Sequence, residues 1–223
     1  MAFAYVQGND NQSFSANTLS VTITGVTLGN IVVAFMYSRD TPTVTGTPSW
    51  GAHIVGAGAW AHSECHWADD VSGSVTATYT LAANKRIYVA IAEWSYDTAK
   101  TLVLETDVHG GGNPMDDTGD LITTTNDPAL LISWVGYWGG ATMADANGAT
   151  RHRYTNHSNF SFAFGSRTVS PTGNYGSDWQ QSGSTGLQFA FSEQAAGGGG
   201  INLNQIERKV GRGIGRGLYR GIA

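Results

Sequence analysis

The chain has 223 residues and a formal net charge of −5; only 13% of it is charged, about half the ~25% of an average soluble domain, and it carries 30 glycines. Threonine, serine, valine and aromatic residues dominate the remainder, a composition of strands and turns. A single cysteine, Cys65, excludes an intrachain disulfide, the opening MAFAYVQGND lacks the basic and apolar regions of a signal peptide, and no apolar run approaches the ~18–20 residues of a membrane-spanning helix.

In chain order, Phe3 to Gln7 predicts a first strand, and Leu19 to Thr24 a second in which Leu19, Val21 and Ile23 share one face. Asn30 to Ser38 (NIVVAFMYS) is almost wholly apolar, as a central strand covered on both sides must be. Further strands are expected at Trp60–Trp67, Val75–Leu81, Arg86–Trp94, Leu102–Val108, Leu130–Tyr137, Arg151–Thr155, Phe160–Phe164 and Leu187–Ser192. Before residue 200 no helical period persists beyond about two turns. Regular short strands with turn residues between them predict an all-β, antiparallel β-sandwich. The expected organisation is a sandwich over residues 1–194, a glycine-rich linker over 195–200 and a basic tail over 201–223.

Several motifs also carry a likeness. Val26-Thr27-Leu28-Gly29-Asn30, opening onto Ile31–Phe35, resembles the start of a jelly-roll-like domain found in virion proteins of tailed phages. Val71-Ser72-Gly73, Glu93-Trp94-Ser95 and the stretch from Thr123-Thr124-Thr125-Asn126-Asp127-Pro128 into Ala129–Ile132 resemble its middle and late parts in the same order. The likeness spans roughly residues 3–192, with Tyr96 standing where that family usually has glycine. It implies a jelly-roll-like sandwich with a structural or adsorption role, and it brings no catalytic residues with it.

Candidate sites divide into three groups. His62, Glu64 and His66 share a strand face beside Cys65, Asp69 and Asp70, a set of nitrogen and carboxylate donors. Their spacing matches no zinc motif, so they read as the polar outer face of a half-buried strand with Cys65 and Trp67 pointing inward. Asp116, Asp117 and Asp120 crowd a glycine-rich loop without the calcium-loop spacing. Neither a G-x-S-x-G elbow, nor a phosphate-binding loop, nor an H-E-x-x-H pair occurs, so no enzyme activity and no cofactor are expected. Tyr137, Trp138, Tyr175 and Trp179 set flat rings beside glycines, amides and carboxylates, and are the candidates for stacking on a host-surface glycan. The competing reading makes Trp138 and Trp179 plugs at the ends of the core.

The last group is the tail. Ile206, Val210, Ile214, Leu218 and Ile222 recur every fourth residue, and Arg208, Arg212, Arg216 and Arg220 recur between them. Five basic residues against Glu207 give residues 201–223 a charge of +4, leaving −9 on the rest of the chain. Glycines at 211, 213, 215, 217 and 221 each cost a helix about 1 kcal/mol relative to alanine, so the tail needs a partner to order it. The expected function is a non-enzymatic structural protein of a phage virion, assembled in the host cytoplasm, forming a homo-oligomer and docked to other virion proteins through this tail. A glycan-binding, lectin-like module is the alternative. No membrane partner is expected, and the acidic body disfavours nucleic acid.

Overall fold

A computed structural model describes residues 3–50, 52–57, 62–109, 121–137, 144–145, 148–157, 160–176, 179–180 and 185–195. The linker and the tail, 196–223, lie outside them. The first half of the chain forms β1 (Ala4–Val26), β2 (Ile31–Ser38), β3 (Thr43–Thr47), β4 (Ala52–Ala57), β5 (His62–Asp69) and β6 (Gly73–Ser95). The second half forms β7 (Lys100–His109), β8 (Ile122–Thr124), β9 (Ala129–Tyr137), β10 (Ala144–Asp145), β11 (Thr150–His157), β12 (Phe160–Val169), β13 (Gly173–Tyr175), β14 (Trp179–Gln180) and β15 (Thr185–Ala195).

Two antiparallel sheets face each other. One runs β1-β6-β2-β5-β4, with β3 pairing β6; the other runs β11-β12-β9-β15-β7. Alternate residues from both meet in one core: Ile31, Val33, Phe35, Cys65, Tyr88 and Trp94 from the first, and Ile132, Trp134, Phe162, Phe164, Phe189 and Phe191 from the second. This is the expected β-sandwich, with the period-2 alternation of each strand deciding which side chains enter. Each sheet is drawn from one half of the chain, so the strand order differs from that of a jelly roll, a double Greek key.

The sequence split residues 3–24 into two strands and residues 75–94 into two more. The structure joins each pair. β1 and β6 are single strands of 23 residues, paired along their length from Ala4↔Ser95 to Val26↔Gly73. Register shifts between Ser13 and Thr18 mark where the pair bends. Beyond the bend, the outer halves of β1 and β6, with β3 alongside, lie over the outer face of the first sheet. Val21, Ile23, Val75, Ala77, Tyr79 and Leu81 pack there on Val32, Ala34, Met36, Val89 and Ile91, forming a second core. All eight residues of β2 are therefore buried, as its apolar run demanded.

Side-chain amides secure the bend. Gln7, Asn9 and Asn11 alternate along the inner half of β1, and each donates to a carbonyl in the outer half: Gln7 to Thr24 (3.0 Å), Asn9 to Thr22 (2.9 Å) and Asn11 to Ser20 (2.9 Å). Sheet-edge carbonyls that would otherwise face solvent thus acquire donors without a further strand.

Gly136 in β9 fixes how closely the sheets approach. A Cβ there would lie 2.5 Å from Cδ2 and Cε2 of Tyr37, whose ring also meets Trp134 edge-on at 6.1 Å and Phe160 at 5.3 Å. Gly136→Ala should destabilise the protein by about 1–3 kcal/mol in urea unfolding, the usual cost of overpacking. A loss below roughly 0.5 kcal/mol would show that the Tyr37 ring can retreat.

Candidate functional site

The chemistry-bearing side chains of the described residues are mostly spent on joining strands and turns. Glu93 is fully buried in β6. Its Oε1 accepts from the Thr27 backbone N–H (2.9 Å) and from Asn30 Nδ2 (2.6 Å), and its Oε2 accepts from Gln7 Nε2 (2.6 Å). Between Thr27 and Asn30 the chain turns tightly, with the Asn30 N–H on the Thr27 carbonyl at 3.1 Å and Gly29 at φ +89°. Two of the motifs behind the phage-protein likeness, Val26–Asn30 and Glu93-Trp94, are thus one physical feature: a turn held by a carboxylate.

The late motif has the same logic. Glu105, on β7, accepts from the backbone N–H groups of Thr125 and Asn126 (both 2.9 Å) and from their side chains (both 2.5 Å). Burial pushes the Glu105 carboxyl upward, but Ser192 first, and then Thr125 and Asn126, outweigh it and hold the group below the ordinary glutamate range. Glu193, buried on β15, completes the series by accepting from the Asp97 N–H (2.8 Å) and from Lys100 Nζ (3.3 Å).

A serine–histidine contact within the second sheet, not foreseen from the sequence, meets Trp94 and Tyr5 of the first sheet. His152 Nε2 lies 2.8 Å from Ser166 Oγ, which also accepts from the indole N–H of Trp94 at 3.0 Å. The imidazole stacks on Tyr5 with centroids 3.7 Å apart. Burial first, and Arg153 second, lower its pKa to about 4, so the ring is neutral near pH 7. A neutral imidazole on a serine oxygen is half of a nucleophile–base pair. Here the serine is 6% exposed and already serves a buried indole, and the three groups read as a strut. Next to it, Asp10 accepts from Tyr88 Oη at 2.8 Å and pairs with Arg153 Nε at 3.2 Å, tying β1 to β6 and β11.

The His62–His66 segment departs from expectation. Cys65 is buried in the sandwich core and Trp67 packs against it, as foreseen. The opposite face was expected to be outward. Instead Glu64 and His66 are 6% and 4% exposed, because the folded-over half of β6 covers them, with Tyr79 5.8 Å from the His66 ring. His66 Nε2 lies 3.6 Å from Glu64 Oε2. Burial, with Cys65 and then Glu64 adding to it, drives the Tyr79 hydroxyl well above its ordinary pKa. Among the described residues no group of three His, Cys, Asp or Glu is placed to hold a metal ion.

The proposed aromatic platform is only partly in view. Tyr137, at the end of β9, packs with Val135, Ala163 and Tyr154. Tyr175, on β13, packs with Ile122, Ala129, Leu131, Val169 and Ala190, and Arg167 sits 5.8 Å over its ring. The two tyrosines belong to separate clusters towards opposite ends of β9. Trp138 lies outside the described residues, and of Trp179 only the backbone pairing with Asp145 is described. The tail residues Ile206 to Ile222, and Asp116, Asp117 and Asp120, also lie outside them. Compared with known protein families, curated proteins and solved structures, the chain matches none.

Proposed function

We propose that the protein is a structural component of a phage-like virion, an acidic β-sandwich fixed to a particle by its basic C-terminal tail. The observation that carries this reading is the division of charge and pattern: +4 with a four-residue apolar and arginine period after residue 200, −9 before it. The placement of β15 supports it. That strand lies between β9 and β7 in the second sheet, and only Ala196 separates its last residue, Ala195, from the glycine run. A load on the tail would pass into an interior strand bonded on both sides. The carboxylates of Glu93, Glu105 and Glu193 hold turns, which suits a framework in which the turn motifs specify shape.

Separability of body and tail is the first test. A chain ending after Gln194 keeps almost all of β15 and both cores, and should unfold in one cooperative thermal transition with a β-type circular dichroism spectrum. Loss of that transition, or aggregation, would assign the tail to the fold itself. The full-length chain, but not the shortened one, should co-sediment with the particle that bears it.

A further inference from the structure

The hydrogen bonds that link Trp94, Ser166 and His152 have a fixed direction. An indole N–H can only donate, so Ser166 Oγ accepts from Trp94 at 3.0 Å. Among the described residues the serine has one further partner, His152 Nε2 at 2.8 Å, so its own proton goes there. That nitrogen is then an acceptor, and the neutral ring carries its hydrogen on Nδ1. Trp94 belongs to the first sheet, Ser166 and His152 to the second, so this run of two bonds crosses from sheet to sheet. Tyr5 of β1 adds its stacked ring from the first sheet.

A proton on His152 reverses one link. Nε2 becomes a donor, Ser166 Oγ meets two N–H groups, and the serine proton loses its acceptor. The new charge also lacks a counter-ion. Around the ring and its neighbour Arg153 stand Tyr5 and Asp10 of β1 and Tyr88 of β6, while β12 contributes Ser166 and Phe164, neither of them charged. Asp10, the one carboxylate of this group, is already engaged by Arg153 Nε at 3.2 Å and by Tyr88 Oη at 2.8 Å. Arg153 brings a like charge next to the imidazole and donates from Nη2 to the Gly8 carbonyl of β1, and the preceding Arg151 lies over the Tyr154 ring.

We propose that this contact between the sheets is an acid-sensitive latch, closed while His152 is neutral and released when the ring takes up a proton. The unfolded chain binds that proton at higher pH than the folded one, so the latch contributes fully above pH 6.5 and is lost as pH falls towards about 4. Urea unfolding of the full chain at a series of pH values measures the loss. Across that window the folding equilibrium constant should fall more steeply than in His152→Gln, by about tenfold per pH unit. The glutamine amide oxygen can still accept from Ser166 but does not titrate. NMR supplies the local readout: the Trp94 indole N–H resonance should move together with the His152 ring, with a midpoint of about 4, and should hold still over the same range in His152→Gln. His152→Phe, which keeps a ring able to stack on Tyr5, is the second variant should His152→Gln fail to fold. A His152 midpoint near 6.5 in the folded protein, an acid slope equal in wild type and folded variant, or a Trp94 resonance indifferent to the His152 titration would each overturn the proposal.

Discussion

On the proposed role of the tail, exchanging Arg212, Arg216 and Arg220 for glutamine is expected to abolish docking to a virion partner while leaving the sandwich folded. The argument is a comparison of magnitudes. Each of Ile206, Val210, Ile214, Leu218 and Ile222 contributes roughly 1.5–3 kcal/mol if fully buried. Ordering each backbone position between them costs about 1–2 kcal/mol, and several of those positions are glycine, the residue with most freedom to lose. Apolar burial therefore breaks even at best. The margin must come from charge-assisted hydrogen bonds between the guanidinium groups and carboxylates or carbonyls on the partner. Raised salt should weaken wild-type docking wherever those contacts stay near solvent. Binding in a sedimentation assay that survives both the triple substitution and high salt would show that shape and apolar packing hold the tail.

The second large effect is expected inside the body. Glu93→Ala removes the acceptor for buried Asn30 and for the partly buried Thr27 N–H and Gln7 amide, at the turn before β2. Each stranded buried donor costs about 1–3 kcal/mol, and the deleted side chain leaves space that its neighbours fill only in part. A total loss of about 3 kcal/mol or more follows, a large fraction of the ~5–15 kcal/mol of a typical domain. Gln7 links this turn to the bend in β1, since its amide serves both Glu93 and the Thr24 carbonyl. Urea unfolding of Glu93→Ala and of Gln7→Ala measures both, and the glutamate change should be much the larger. A cost below about 1 kcal/mol for Glu93→Ala would mean that water replaces the carboxylate.

The fold class could be read from the sequence because alternation is local. Leu19, Val21 and Ile23 identify one face of a strand without reference to anything else, and NIVVAFMYS is apolar on both faces wherever it sits. The length of β1 and β6 was not legible for the same reason. Ser13–Asn17 and Ala82–Lys85 have the small and polar residues of loops, and only their pairing with each other makes them strand. The cover over Glu64 and His66 comes from residues 73–81 folded across a bend, a relation that no spacing within 62–66 can encode. A trace of that bend did exist in the alternation of Gln7, Asn9 and Asn11, amides at every second position of a strand. Tyr137 and Tyr175 lie apart because β13 pairs with β8 while Tyr137 sits at the far end of β9, a relation set by strand pairing that neither loop sequence contains. The charge motif of the tail was fully legible, since periodicity and net charge need no tertiary information.

The division of the two sheets between the halves of the chain bears on how the molecule is made. Every buried residue of the second core lies between Val21 and Ile91, so that core can close once the chain as far as β6 has left the ribosome. The sandwich core cannot. Ile31, Phe35, Tyr88 and Trp94 must wait for Ile132, Phe162 and Phe189, and an aromatic face is bare throughout that interval. Synthesis at about 5–20 residues per second makes the interval some seconds long. Nascent chains of this protein therefore pass through a half-built stage with one finished core and one open face, and that stage is the natural point for a chaperone to engage or for two chains to pair wrongly.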